Sequence, residues 1–165
     1  MNHVAIVKAD LDQTQHQLAI LSLMDAYSVD PMGDDQPLSD FARQNLIAGL
    51  RAHPTSLVFL ALHGDQPVGI ATCFRGFSTF AAKPLINISD FFVEPTLRGQ
   101  GIGRMLLDAV LAEAKQTHCC KLTLEVQQNN SRARSIYGQF GFQQAVYAAD
   151  AAGGGSLYMV KPIQG

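Results

Sequence analysis

The sequence predicts an α/β domain: a mixed sheet of about seven strands with helices on both faces. Three observations carry that prediction. A chain of 165 residues, 47% of them apolar, can bury one substantial core, whereas two cores would both be undersized, so residues 1–165 read as a single domain. Apolar spacing switches repeatedly between near-helical and strand-like along the chain. The resulting order is a strand, two helices, three strands, a helix, a strand, a helix and two strands, which suits a mixed sheet packed on both sides.

The elements follow in order. "HVAIVK", His3 to Lys8, alternates weakly and reads as an opening strand. Leu18, Leu21, Leu23 and Met24 recur at near-helical spacing in a helix starting near Asp12. "VDPMGDDQP", Val29 to Pro37, is a loop, and a second helix runs from about Ser39 to Arg51, ended by His53-Pro54. Two strands, Ser56 to His63 and Pro67 to about Phe77, flank a compact "GDQ" hairpin. A loop is expected through Lys83-Pro84, then a strand from Leu85 to Val93. Ile102, Met105, Leu106, Ala109 and Val110 form a broad apolar stripe in a helix from Gly101 to His118. "KLTLEV" is the next strand, followed by a short helix from about Ser131 to Gln139. Strands near Phe142 to Ala148 and Ser156 to Lys161 close the chain, joined by a hairpin turn at Ala151 to Gly155.

Charge and cysteine usage narrow the function classes. A formal net charge of −2 and a pI near 6.2 argue against nucleic-acid and membrane-surface partners, which call for a basic excess. With no leader-like amino terminus and no membrane-length apolar run, a cytoplasmic protein is expected. Cys73, Cys119 and Cys120 form no disulfide framework and read as reduced packing residues. His53, His63 and His118 lack ligand-like spacing, so no metal is expected. Phe74, Phe77 and Phe80 alternate imperfectly and read as ordinary sheet packing.

The chemistry concentrates at Arg98-Gly99-Gln100-Gly101-Ile102-Gly103-Arg104, between a strand and a long helix. Backbone N–H groups without helical partners sit there at the positive end of the helix dipole, an arrangement that favours an anion such as a phosphate. Glycines allow close approach and positive φ, and the two arginines can add charge-assisted hydrogen bonds. A P-loop is excluded because no Gly-Lys-Ser/Thr follows, and a dinucleotide fingerprint is excluded because Arg104 stands where glycine is required. A nucleotide-binding module is therefore a distant reading. Downstream, Asn130, Ala133 and Tyr137 lie three and four residues apart and share one side of the short helix, with Ile136 and Phe140 left for the core and Gly141 for the terminus.

Together these two segments resemble the GCN5-related N-acetyltransferase (GNAT) superfamily, whose acetyl-CoA loop reads Arg/Gln-x-x-Gly-x-Gly/Ala. Its later segment reads Asn-x-x-Ala-x-x-x-Tyr before Gly-Phe, and both patterns are complete between Leu85 and Phe142. The resemblance implies a mostly antiparallel sheet and acetyl-CoA as cosubstrate, with no metal. It places the pantetheine arm on the backbone of Phe92 and Val93, the diphosphate on the amides from Arg98 to Arg104, and Asn130 beside the pantetheine. Tyr137 would face the CoA sulfur as proton or hydrogen-bond donor.

The implied acceptor is a primary amine of a small molecule or peptide, and homodimerisation is left open. An amine with a pKa near 10.4 must lose a proton before attack, and Glu125 and Asp90 are the carboxylates in position to take it, unless a water chain does so. Glu125, twelve positions before Tyr137, resembles the base of the branch that acetylates the amino terminus of a ribosomal protein. "DFFV" resembles diamine acetyltransferases, but Ser89 replaces their preceding Glu, which weighs against polyamines. Asp30, Asp34 and Asp35 are expected to set a negative potential that draws a protonated amine. The alternative function is a non-catalytic acyl-CoA sensor or regulatory protein.

Overall fold

In the computed structural model, residues 3–145 and 155–164 are described. The strands are β1 (Val4–Lys8), β2 (Ser56–His63), β3 (Gln66–Ser78), β4 (Lys83–Val93), β5 (Lys121–Gln127), β6 (Gln143–Gln144) and β7 (Ser156–Pro162). The helices are α1 (Thr14–Val29), α2 (Asp40–Ala52), α3 (Ile102–Gln116) and α4 (Ser131–Phe140), and a 3-10 turn covers Pro95–Leu97. All seven strands join in one sheet of order β1-β2-β3-β4-β5-β7-β6, in which β4 and β5 are parallel and the other neighbours antiparallel. The expected α/β class and helix placement on both faces hold.

Two apolar clusters divide the sheet's faces. On one, Ile20 and Leu23 of α1 and Leu50 of α2 pack on Leu60, Ile70 and Phe92. On the other, Leu106, Leu107 and Val110 of α3 with Tyr137 and Phe140 of α4 pack on Ile86, Ile88, Leu122 and Leu124. The stripe read from the α3 sequence is the buried one: Ile102, Leu106 and Val110 are buried, while Met105 at its edge is 37% exposed. Caps fix the shorter helices. Ser39 accepts from the Ala42 N–H and Asn130 from the Ala133 N–H, each at 3.1 Å, and Gly141, at φ 106°, ends α4 in the left-handed region where a side chain is strained. Glu113 on α3 ties the helix to the far side of the sheet, accepting from Lys8 of β1 at 2.9 Å and Arg75 of β3 at 3.1 Å.

Two local expectations change, and the sheet register adds a third feature. Lys83 and Pro84 belong to β4, opposite Ser78 and Phe77, rather than to a loop. Proline is tolerated near the strand's start because its carbonyl still accepts from the Cys120 N–H at 2.8 Å. Phe77 and Phe80 are exposed, whereas Phe74 packs against the α1/α2 cluster, so only the last is sheet packing. Within the expected "LINISDFFV" strand, the β3–β4 register shifts between Thr72 and Cys73, which pair with Asp90 and Ile88 and leave Ser89 as a bulge. One extra residue reverses the phase of everything after it. Asp90 and Phe92 therefore face α1, and Phe91 and Val93 face α3. Of the strand expected near Phe142 to Ala148, Gln143–Gln144 form β6, residues 146–148 and most of the Ala151 to Gly155 turn lie outside the described residues, and the strand expected at Ser156 to Lys161 is β7.

Candidate active site

The site begins where the sheet's parallel pair comes apart. β4 and β5 pair only at Ile86–Leu122, Asn87–Thr123 and Ile88–Leu124, after which β4 continues to Val93 and β5 to Gln127 without bonding to each other. The strands form the arms of a wedge whose facing backbone edges have no ladder partner among the described residues. A cavity of about 200 Å³ fills the wedge. Its walls come from both sides of the sheet: Tyr27, Asp30 and Met32 from α1 and the following loop, and Ile102, Gly103, Ala133 and Tyr137 from α3 and α4.

The glycine turn closes one end. Gly99 and Gly101 adopt φ 80° and 86°, the left-handed region that favours glycine, and a Cβ at either would meet nothing within 4 Å. Gly101 caps α3 with no side chain, and no acidic residue stands in the first turn. The amides of Ile102, Gly103 and Arg104 thus open α3 without intrahelical acceptors. That donor set fits a diphosphate. Gly103 allows close packing as well, since a Cβ there would lie 3.4 Å from the Phe91 ring.

The arginines behave differently from the expectation that both reach the anion. Arg104 lies 4.8 Å over the Phe140 ring and 3.4 Å from Asp108, and it does not line the cavity. Arg98 lines it but is engaged inward: Nε donates to the Val93 carbonyl at 3.0 Å and a terminal nitrogen to Asp30 at 2.8 Å. Gln100 and Gly101 lie outside the lining, while Phe92, Val93, Gly99, Ile102, Gly103, Asn130 and Ala133 belong to it. Asn130 reaches the cavity as the N-cap of α4, which leaves its side-chain amide nitrogen free of the capping bond.

Glu125 and Tyr137 share the cavity. Glu125 is an exposed residue of β5. Tyr137 is buried, its ring edge-on to Phe91 at 5.6 Å and to Phe142 at 5.7 Å, and burial pushes its phenol well above the ordinary tyrosine value. Asp90, the other carboxylate, does not line the cavity; it accepts from the Thr72 hydroxyl. Burial holds it above the usual carboxylate range, with Asp34 adding to the rise and the Thr72 hydrogen bond opposing it.

Asp30 corrects the reading of an acidic loop. It is 8% exposed and paired with Arg98, so its charge is committed internally, whereas Asp34 and Asp35 remain exposed. Tyr27 is the residue that sequence reading missed. Its ring packs on Phe92 at 5.6 Å, and burial, then Asp90, Asp30 and Asp34, raise its phenol value. The available signal was spacing, because Ile20, Leu23 and Tyr27 at i, i+3 and i+7 place it on the buried stripe of α1.

Comparison with known proteins agrees with this geometry. Residues 20–142 match the model of the acetyltransferase (GNAT) family. The chain is 32% identical over 89 residues to the uncharacterized N-acetyltransferase YhfO of Bacillus subtilis, a match covering 54% of this chain and 60% of that protein. It is 33% identical over 85 residues to the thialysine N-epsilon-acetyltransferase of Bos taurus, covering 52% of this chain and 49% of that one. The chain thus spans about half to three-fifths of the length of these two relatives. In fold it is similar to a chain of the NatC complex bound to Gag peptide and CoA, with TM-score 0.72, 20% identity and coverage of 98% of this chain and 99% of that one. It is also similar to Arabidopsis thaliana Naa50 in complex with the bisubstrate analogue CoA-Ac-MVNAL, with TM-score 0.66, 20% identity and coverage of 97% and 99%. A split parallel strand pair, an uncapped glycine turn on α3, and a match running from α1 to the end of α4 converge on one conclusion: the chain belongs to the acetyltransferase (GNAT) family.

Proposed function

We propose that the protein transfers an acetyl group from acetyl-CoA to a primary amine by direct attack within the wedge. The observation that carries this reading is the joint presence of Glu125 and Tyr137, from different elements, in a cavity that ends on the glycine turn. Acetyl-CoA supplies an activated thioester. The amides of Ile102, Gly103 and Arg104 would hold its diphosphate, and the unpaired edges of β4 and β5 would hydrogen-bond its amide-bearing arm.

Glu125 takes the proton that the ammonium must lose before its nitrogen attacks, directly or through one water, and the second proton leaves the nitrogen as the carbon–nitrogen bond forms and ends, by way of solvent, on the departing sulfur. Tyr137 faces the sulfur that departs as the carbon–sulfur bond breaks. Its phenol, raised above about 10, holds its proton more tightly than a thiol of about 8.5 does, so it acts as a hydrogen-bond donor to the developing thiolate. Solvent then completes the protonation. A backbone N–H near Val93 would stabilise the carbonyl oxygen. The Asp90 carboxylate, bonded to Thr72 and outside the cavity, is a second choice as base.

The retention of Tyr137 on the cavity, at the position of the family's donor, favours turnover over a sensor that merely retains CoA. Free-thiol release measured with n-butylamine, cadaverine and the tripeptide Ala-Ala-Ala tests the reading. Amine-dependent thiol release supports transfer, and acetyl-CoA binding without release from any amine would favour the sensor.

A further inference from the structure

Arg98, which opens the glycine turn, turns away from it. Besides its bonds to the Val93 carbonyl and Asp30, its guanidinium lies 5.6 Å from the ring centroid of Phe92, the ring that also packs on Tyr27. Asp30 caps the C-terminus of α1, and its second oxygen accepts the Met32 N–H at 3.0 Å. The Met32 carbonyl accepts from Gln127 Nε2 at 3.2 Å. The four bonds therefore run from Val93, the last residue of β4, to Gln127, the last residue of β5.

Those are the open ends of the wedge. With its apex at Ile88 and Leu124, the two strand arms and this bridge form a closed ring around the cavity, and Asp30, Met32, Arg98 and Gln127 all line it. The loop that carries the bridge has a fixed shape. The Gly33 N–H donates to the Asp30 carbonyl at 2.8 Å, and the Asp34 and Gln36 N–H groups donate to the Ser28 carbonyl at 3.1 and 3.2 Å. A Cβ at Gly33 would lie 2.1 Å from the Tyr27 carbonyl oxygen, so the loop is folded back against α1 as tightly as a backbone allows.

We propose that this bridge positions the acceptor. Arg98, Asp30 and Gln127 hold the 30–36 loop across the wedge so that the amine meets Glu125 inside the ring, and Arg98 is a positioning residue rather than a ligand of the diphosphate. The inference rests on the acetyl-transfer reading. A buried carboxylate paired with a guanidinium that is itself bonded to the strand end is a rigid link, because separating the pair leaves a charge without a partner. The link also transmits. A change at the β5 end reaches the strand end next to the glycine turn through hydrogen-bonded groups alone.

The test uses the full chain with Gln127→Ala, which cuts the bridge at an exposed residue, Asp30→Asn, which removes the buried charge at constant shape, and Arg98→Gln. For whichever of the three amines turns over fastest, all three variants should raise the acceptor KM about fivefold or more, the scale of a modest coupling free energy. The kcat and the acetyl-CoA Kd should stay within about twofold of the parent, and the Asp30→Asn/Gln127→Ala double variant should be no worse than Asp30→Asn alone, since both cut one bridge. Hydrogen exchange at the Met32 and Gly33 amides should quicken in each.

An acceptor KM unchanged in Gln127→Ala and Asp30→Asn would overturn the proposal. So would an Arg98→Gln variant that weakens acetyl-CoA more than about tenfold with a parental acceptor KM, which would make Arg98 an anion ligand. If the parent transfers to none of the amines, the acetyl-transfer reading fails, not the bridge. Exchange then decides: parental rates at Met32 and Gly33 in all three variants overturn the bridge, and faster rates support it.

Discussion

Asp90 shows how one residue's chemistry depends on a neighbour that sequence cannot display. Read in plain alternation, it falls on the α3 face of β4; the bulge at Ser89 sends it to the α1 face, onto the Thr72 hydroxyl. There its folded-state value is raised by burial, so the folded protein binds the proton more tightly than the unfolded chain. The sign follows: stability is fullest below the ordinary carboxylate value and falls as pH rises through the folded one. Asp90→Asn, which keeps an oxygen for Thr72, should raise Tm at pH 7 and 8 and lose that gain towards about pH 4, near the unperturbed value. A thermal melt series across that range checks it, and a lower Tm at pH 8 would mean that the charge is compensated. Glu125 needed no such correction, because β5 is regular from Lys121 to Gln127 and its alternation places Thr123, Glu125 and Gln127 together.

At the scale of elements, what was legible is what a local pattern decides. The α3 stripe, the Ser39 and Asn130 positions at helix starts and the Gly141 terminus all follow from spacing and capping chemistry, and the structure has them within a residue or two. What was not legible depends on partners distant in sequence. The strand start at Lys83, the Ser89 bulge and the ion pair between Asp30 and Arg98, 68 positions apart, are set by pairing and packing. An aspartate in a loop rich in turn formers reads as solvated until its arginine is known. The glycine turn itself gives an element-scale prediction. Gly101→Glu puts a negative side chain at the open N-terminus of α3 and forces a non-glycine residue to φ 86°, a strain of about 1–2 kcal/mol. The variant should remain folded, and the rise in Tm that acetyl-CoA gives the parent should vanish. An equal rise in both would place the diphosphate elsewhere.

For the whole molecule, the wedge exists because one parallel pair interrupts an otherwise antiparallel sheet, and the sheet stays continuous around it. Helices on opposite faces hold the two halves. Glu113 joins α3 to β1 and β3, and its two cations hold its carboxyl below the usual range, Lys8 more than Arg75. Its contribution is therefore present above the ordinary carboxylate value and is lost as pH falls through the folded one. Glu113→Gln should cost about 1–2 kcal/mol at pH 7, the scale of charge-assisted hydrogen bonds that are partly solvated, and less at pH 3. Denaturant melts at the two values check this, and a cost that grows on acidification would contradict it.

Acetyl transfer in that wedge requires Tyr137 and Glu125 to serve one reaction, and single-turnover and steady-state thiol release by the parent, Tyr137→Phe and Glu125→Gln decides whether they do. Tyr137→Phe should lower kcat by about 10²–10⁴, the range for a positioned proton or hydrogen-bond donor, while acetyl-CoA binds as before. The parental rate should show no loss from phenol ionisation up to about pH 10, because burial raises Tyr137 above its ordinary value. Glu125→Gln should lower kcat/KM for the acceptor, because the group that takes the amine's proton is lost, while acetyl-CoA binds as before. Parent-like kcat in the folded Tyr137→Phe protein, with parent-like kcat/KM in Glu125→Gln, would show that the two residues do not serve one reaction.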